Sequence, residues 1–170
     1  TFCAGGSVNL SYTPVAGLTY TWYKDNVAMA ETTATINVTT SGVYKLSAKN
    51  ANNVEVFSNL TTVTVNALPA NAVCAAPAAI CANNTVTLTP TAVAGISFRF
   101  YTAATAGTLL GTGASYTSGA LSTTTTYYVE AFNTTTMCAA ATRTAVVVTV
   151  NPLPDAAVVP TVTPICATFT

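Results

Sequence analysis

The sequence predicts an all-β protein that consists of antiparallel β-sandwiches in tandem, and three observations lead to this prediction. Apolar and polar residues alternate with a period of two over short segments, as in LTYTWY at residues 18–23. A pattern of roughly 80 residues occurs twice along the chain. Finally, 51% of the residues are hydrophobic and only 6% are charged. This balance allows a buried core and excludes a disordered chain.

The predicted strands recur in the same order in both copies. Three pairs of segments match: CAGGSVNL (3–10) with CANNTVTL (81–88), GLTYTWY (17–23) with GISFRFY (95–101), and YKLSAKN (44–50) with YYVEAFN (127–133). Each copy therefore predicts a sandwich of about seven short strands. The apolar face of these strands supplies the predicted core, with Trp22 and Tyr44 in the first copy and Phe100 and Tyr127 in the second.

The offset between the copies grows from 78 residues at the start to 85 at the end, where TVTVNALP (62–69) returns as VVTVNPLP (147–154). The second copy thus contains insertions, five residues around 107–113 and two near Met137. We interpret both places as hairpin loops, which tolerate insertions. A third copy begins at Ile165 and Cys166.

These matches divide the chain into four parts: a first repeat at 1–66 whose first strand is missing, a proline linker at 67–71, a second repeat at 72–151, and a linker with the first strand of a further repeat at 152–170. Proline fixes φ and restrains the preceding residue, so Pro69, Pro152 and Pro154 are expected to stiffen the joints. The sandwiches would then follow one another like beads on a rod.

The segments YTWYKDNVAMA and SGVYKLSAKN together resemble an immunoglobulin-like domain, with Trp22 as the buried tryptophan of its third strand. More narrowly, TFCAGGSVNL, TTTTYYVEA and TRTAVVVTVNPLP resemble the Ig-like or PKD-like repeats of very large Bacteroidota surface proteins. The resemblance implies export by the type IX pathway, an extracellular location at the cell surface, and a role as a spacer in adhesins. One departure is that Leu10 and Leu46 occupy the positions of the usual inter-sheet cysteines.

Several function classes are excluded or disfavoured by the residues present. The chain has no histidine and its acidic residues are scattered singly, so we expect no catalytic site, metal site or cofactor. Lysine and arginine balance aspartate and glutamate at a net charge of zero, without a basic stripe, so nucleic acid is not an expected partner. No apolar segment reaches the roughly 20 residues that a membrane-spanning helix needs.

Five cysteines are disulfide candidates: Cys3, Cys74, Cys81, Cys138 and Cys166. The resemblance implies one cysteine before the second strand and one in the turn between the last two long strands, here Cys81 and Cys138. These turns lie at opposite poles of such a sandwich, about 25 Å apart, whereas a disulfide needs Cα atoms within about 7 Å. One hypothesis is therefore a bond among Cys3, Cys74 and Cys138 across the joint, with Cys81 bonded likewise to a following domain. The alternative is Cys81–Cys138 together with Cys3–Cys74.

The predicted function is a structural stalk or filament module of an extracellular bacterial adhesin or fibre, with neighbouring repeats as its partners. One alternative is a pilin-like subunit that polymerises by donating residues 155–165 to an open groove in the next molecule. Another is a module that binds glycans or surface proteins through outward-facing tyrosines. Four tyrosines are candidates for that role: Tyr23, Tyr101, Tyr116 and Tyr128. We expect them instead to cover cross-strand neighbours on the sheet surface.

Overall fold

The structure is a computed structural model that describes residues 1–153. Pro154, Cys166 and the segment 155–165 lie outside the described residues. Every regular element in the described part is a β-strand, which confirms the all-β prediction. None of its elements is a helix long and apolar enough to cross a membrane.

Nine strands lie in the first half of the chain and build the N-terminal sandwich. They are β1 (Phe2–Cys3), β2 (Val8–Ser11), β3 (Thr19–Lys24), β4 (Val27–Ala28), β5 (Thr35–Val38), β6 (Gly42–Lys49), β7 (Glu55–Phe57), β8 (Thr61–Val63) and β9 (Val65–Asn66). The antiparallel pair β2–β5 lies opposite a sheet with the order β4-β3-β6-β7, in which β8 also pairs with β6. Strand β1 pairs with β9 in parallel, whereas the other strand pairs of this sandwich are antiparallel.

Eight strands build the C-terminal sandwich in the same order. They are β10 (Ile80–Cys81), β11 (Thr87–Leu88), β12 (Ile96–Tyr101), β13 (Leu109–Gly113), β14 (Tyr116–Thr117), β15 (Thr125–Asn133), β16 (Thr144–Val148) and β17 (Val150–Asn151). The pair β11–β14 lies opposite the sheet β13-β12-β15-β16, and β10 pairs with β17 in parallel.

The strand registers of the two sandwiches are equivalent residue by residue. Trp22 lies opposite Leu46, and Phe100 lies opposite Val129, at the offsets that the sequence repeat predicts. The turn before this strand also recurs, because Gly17 and Gly95 both have a positive φ, +83° and +72°. This backbone conformation is readily available only to glycine. The duplication in the sequence is therefore a duplication of structure.

Each sandwich has its own hydrophobic core between its two sheets. The N-terminal core contains Trp22, Ile36, Val38, Tyr44 and Val63. The C-terminal core is larger and contains Ala72, Val86, Leu88, Phe98, Phe100, Tyr127, Val129, Ala131, Val146 and Val148. In the C-terminal core Phe100 is fully buried, and Tyr116 stacks on it with ring centroids 5.4 Å apart.

The interpretation of residues 107–113 as a loop is wrong in part. Residues 109–113 form strand β13, which pairs with β12, and the turn lies before it. Ala106 and Gly107 have positive φ there, and a Cβ on Gly107 would lie 2.9 Å from the Ala103 side chain. The equivalent hairpin of the N-terminal sandwich has a second strand of only two residues, Val27–Ala28. The insertion therefore lengthens this hairpin in the C-terminal sandwich. The two residues near Met137 do lie in a turn, where Met137 has a φ of 60°.

Candidate functional site

The joint between the two sandwiches places Cys3 beside the start of the linker. Strand β1 pairs with β9 so that Cys3 lies opposite Asn66, the last residue before the linker. The Ala4 N–H donates to the Asn66 carbonyl at 2.8 Å and fixes the end of this strand pair. Cys3 is consequently held at the pole of the N-terminal sandwich that faces the next repeat.

Cys138 is held by the turn that follows β15. The Asn133 side chain accepts hydrogen bonds from the Thr135 and Thr136 N–H groups at 2.9 and 2.8 Å. The Asn133 N–H donates to the Cys138 carbonyl at 2.9 Å, and the Met137 N–H donates to the Asn133 carbonyl at the same distance. These bonds order the turn. Cys138 lies within it and is completely buried.

Cys3 and Cys138 form a disulfide across the joint, with Cα atoms 5.6 Å apart. This pair is one of those that the joint hypothesis allowed, and the structure does not contain the alternative pair Cys81–Cys138. Cys81 carries an exposed free thiol at the far pole of the C-terminal sandwich, where it lies opposite Asn151. The second free thiol, Cys74, is half-buried, and burial raises its pKa despite a hydrogen bond with the Thr89 backbone.

The linker is fixed to the C-terminal sandwich as soon as it leaves Pro69. The Asn71 side chain donates to Thr142 Oγ1 at 2.7 Å, and Thr144 Oγ1 donates to the Ala72 carbonyl at 2.6 Å. Ala72 itself is buried in the core. Between residues 1–66 and 71–153 the structure contains no hydrogen bond or ion pair, so the backbone and the disulfide are the bonds that connect them.

A second feature is an open groove along one side of the N-terminal sandwich, between the edges of its two sheets. We call it the lateral groove and define it by Leu10, Tyr12, Trp22, Leu46, Asn59 and Thr61. Its volume is about 430 Å³. Leu10 lies in β2 and Tyr12 directly follows that strand, whereas Thr61 begins β8 and Asn59 lies two residues before it. An open groove in this repeat is part of the strand-donation alternative, which follows from the missing first strand.

The four candidate surface tyrosines do not form one binding site. Tyr116 packs on the core instead of facing outward, with ring centroids 5.4 Å from Phe100 and 5.7 Å from Tyr127. Tyr101 is covered by the Arg143 guanidinium, whose central carbon lies 3.3 Å from the ring centroid. Tyr23 is covered by Lys45 and packs edge-on against Phe57. Tyr128 lies on β15 opposite Tyr101.

A charged cluster on the outer face of the C-terminal sandwich was not found by sequence reasoning. Arg99 lies 3.2 Å and Arg143 lies 3.4 Å from the Glu130 carboxylate, which also accepts a hydrogen bond from the Tyr101 hydroxyl. Arg143 donates to the carbonyls of Ala103 and Ala106 as well. The cluster fixes the lengthened hairpin to the sheet. No buried polar side chain in the described part lacks a hydrogen-bond partner, and no three metal-ligating residues come together there.

Comparison with known proteins gives a family match for the C-terminal sandwich. Residues 69–152 match the family model described as "Ig-like domain CHU_C associated". No curated protein matches the chain. Domains A168–A170 of titin share its fold with a TM-score of 0.51 at 16% identity, over 88% of this chain and 61% of the titin chain.

Two further structures are similar to the chain. The fibronectin(III)-like modules of Clostridium thermocellum CbhA align at 20% identity and a TM-score of 0.49, over 89% of this chain and 88% of that one. Three N-terminal domains of the outer capsid protein Hoc of bacteriophage RB49 align at 19% identity and a TM-score of 0.43, over 88% and 55%. The titin comparison shows that the described part of the chain has an Ig-like β-sandwich fold.

Proposed function

We propose that these Ig-like repeats are a structural stalk module of an extracellular bacterial surface adhesin or fibre. The observation that carries the proposal is the disulfide across the joint. Cys3 and Cys138 belong to different sandwiches, and their bond adds a second covalent connection beside the linker. A joint with two covalent connections has less rotational freedom than a joint with one. This arrangement is suited to keeping successive repeats in a fixed orientation along a fibre.

The linker supports the same proposal. Asn66 ends β9, the last strand of the N-terminal sandwich. Only a few residues further along, Asn71 is hydrogen-bonded to the C-terminal sandwich. Leu68 and Pro69 are half-buried within this short stretch. A linker that is short, restrained by proline and fixed at both ends behaves as a stiff spacer. Its equivalent, residues 152–154, would supply the joint to a neighbouring repeat of the same chain.

The extracellular location is proposed from the same bond. Disulfides persist in oxidising compartments and are rare in the cytosol, where thiols are kept reduced. The surface composition agrees, because only 6% of the residues are charged and the net charge is zero. Such a surface has little charge repulsion to keep free molecules apart, which suits an anchored or assembled protein.

The proposal is tested by the mass of the native chain on a denaturing gel with reductant. If the repeats are part of one long stalk, we expect a band many times larger than the 17.3 kDa of this chain. Non-reducing peptide mapping of the same material should yield the Cys3 peptide linked to the Cys138 peptide. A native band near 17.3 kDa would overturn the stalk of covalent repeats.

A further inference from the structure

The far pole of the C-terminal sandwich repeats the structure that holds Cys3 at the joint. Cys81 lies opposite Asn151 in the parallel pair β10–β17, as Cys3 lies opposite Asn66 in the parallel pair β1–β9. Each cysteine is the second residue of a two-residue strand. Each asparagine begins a linker of the form Asn-x-Leu-Pro. The two poles therefore have the same arrangement of cysteine, strand pair and linker.

Hydrogen bonds hold the two cysteines in the same way. The Ala4 N–H donates to the Asn66 carbonyl at 2.8 Å, and the Ala82 N–H donates to the Asn151 carbonyl at 2.9 Å. In both sandwiches a turn follows at once, and the residue after the alanine has a positive φ, 89° in the first and 69° in the second. The backbone thus presents Cys81 at its pole as it presents Cys3 at the joint.

The two cysteines differ in what they contact. Cys3 is half-buried and is bonded to Cys138 of the neighbouring sandwich. Cys81 is exposed, and its thiol is free in the described part of the chain. The turn cysteine of its own sandwich cannot be its partner, because Cys138 is already bonded to Cys3.

The turn that follows the long strand decides which repeat can supply a partner. In the N-terminal sandwich the Asn53 N–H donates to the Asn50 carbonyl at 3.0 Å, and the Asn50 N–H donates to the Val54 carbonyl at 3.1 Å. The same two bonds order the turn of Cys138, so Val54 takes the place of that cysteine. The N-terminal repeat therefore has only the strand cysteine of a joint. The C-terminal repeat has both, Cys81 on the strand and Cys138 in the turn.

We propose that Cys81 forms a disulfide with the turn cysteine of the repeat that follows it along the chain, the counterpart of Cys138. The sequence contains the start of such a repeat, since Ile165 and Cys166 match Ile80 and Cys81 at the offset of 85. A repeat that has both cysteines is then bonded to a neighbour at each pole. This inference rests on the proposed stalk, because it needs a following repeat in the same chain.

The joint between the two sandwiches shows that the bond meets its geometric requirement. A disulfide needs Cα atoms within about 7 Å, and those of Cys3 and Cys138 lie 5.6 Å apart. A following repeat docked in the same way brings its turn cysteine equally close to Cys81. Oxidation then removes two electrons and two protons from the two thiols, which form one sulfur–sulfur bond. An oxidant of the disulfide class accepts both, and its own sulfur–sulfur bond breaks into two thiols.

The first test is peptide mapping of the native protein without reductant, after its free thiols have been alkylated. We expect the Cys81 peptide to be linked to a cysteine peptide from outside residues 1–170. Cys74, a half-buried free thiol, should be found alkylated and serves as the internal control against oxidation during handling. An alkylated Cys81, or a Cys81 linked to the Cys81 of a second molecule, would overturn the proposal.

The second test lengthens the chain itself, so that its outcome does not depend on the length of the native protein. Residues 1–154 are followed by a second copy of residues 70–154, joined at the equivalent prolines of the two linkers. Thr135→Ser in the second copy changes one exposed residue and gives its turn peptide a distinct mass. After oxidation with glutathione disulfide, we expect Cys81 to be linked to the marked peptide and Cys3 to the unmarked one.

Cys138→Ser in the second copy alone is the matched control. It should leave the Cys81 thiol open to iodoacetamide and keep the bond between Cys3 and the first copy of Cys138. That retained bond also shows that the first joint has folded. A free Cys81 in the lengthened chain with both turn cysteines would overturn this inference, whereas a native band near 17.3 kDa would overturn the stalk.

Discussion

Cys3 and Cys138 are 135 residues apart in the sequence, yet their Cα atoms lie 5.6 Å apart and their sulfur atoms are bonded. The loop that this bond closes contains nearly the whole N-terminal sandwich, the linker and most of the C-terminal sandwich. Neither residue has its partner in its own repeat. The bond therefore connects two sandwiches that each have a separate core.

Removal of this bond should lower stability strongly. In the chain-entropy model, a disulfide that closes a loop of this length stabilises the folded state by about 5 kcal/mol. We expect Cys3→Ser to lower the free energy of unfolding by up to that amount in guanidinium denaturation without reductant. Cys81→Ser, which removes an exposed free thiol, is the matched control and should have no effect. Equal stability of the two variants would show that the bond does not form in solution.

Thiol labelling should separate the cysteines by reactivity. Cys81 is exposed, whereas Cys74 is half-buried and burial raises its pKa. Alkylation needs both access and the thiolate form, so iodoacetamide should modify Cys81 first and Cys74 more slowly. Mass spectrometry of digested protein should find Cys3 and Cys138 unmodified until a reductant is added. Rapid labelling of Cys138 in the native protein would contradict the disulfide.

The two cores should respond to mutation separately. Phe100 is fully buried in the C-terminal core, and its truncation to alanine should cost about 3–5 kcal/mol. The fluorescence of Trp22 follows the N-terminal core alone and should keep its midpoint in Phe100→Ala, while circular dichroism shows a new early transition. Ile36→Ala, in the N-terminal core, should give the converse result. A common shift of both signals would mean that the sandwiches unfold as one unit.

Glu130 should be important for the stability of the C-terminal sandwich. Its carboxylate neutralises Arg99 and Arg143 on the partly buried face of the sheet. Glu130→Gln keeps the size of the side chain but leaves both cations without an anion, at a cost of about 1–3 kcal/mol. Glu55→Gln changes an exposed residue on β7 and serves as the control. Equal free energies of unfolding for the two variants would show that the cluster contributes nothing.

Stability should fall at alkaline pH because of Tyr127. Burial raises the pKa of this tyrosine, the nearby Tyr116 raises it further, and a hydrogen bond with Ser118 acts in the opposite direction. Above about pH 10 the unfolded chain has released the proton that the folded chain retains, so the free energy of unfolding decreases as pH rises. Tyr127→Phe should show a smaller decrease than the wild type between pH 9 and 11. Parallel pH curves would contradict the assignment.

The period-two pattern predicted the sheet strands because it depends on local burial. In β3 and β12 the alternation predicts which side chains point inward, and Trp22 and Phe100 are indeed buried. The internal repeat then predicted equivalent strand registers, because segments with similar sequences form the same strand pairs in both sandwiches. The first signal lies within a few neighbouring residues, and the second is a direct comparison of matched segments, so neither requires knowledge of which distant residues are in contact.

The features that sequence reasoning missed depend on contacts between distant segments. The sequence allowed the pairing of Cys3 with Cys138 but left Cys74 as an equal candidate, because the choice follows from how two repeats meet at the joint. The position of Tyr116 on the core depends on its stacking with Phe100, and nothing in its local pattern distinguishes it from an outward-facing tyrosine. Strand β13 was hidden because its LLGTG sequence contains two glycines, which are typical of turns.

The disulfide at the joint also determines where a mechanical load passes through the molecule. Tension applied to Thr1 and to the carboxyl end is transmitted from Cys3 directly to Cys138 through the sulfur–sulfur bond. The 134 residues between them, about 450 Å of chain when extended, are shielded from the pull. The N-terminal hydrogen-bond ladders therefore carry no force while the bond is intact. Its reduction would convert a short, inextensible connection into a long, yielding one.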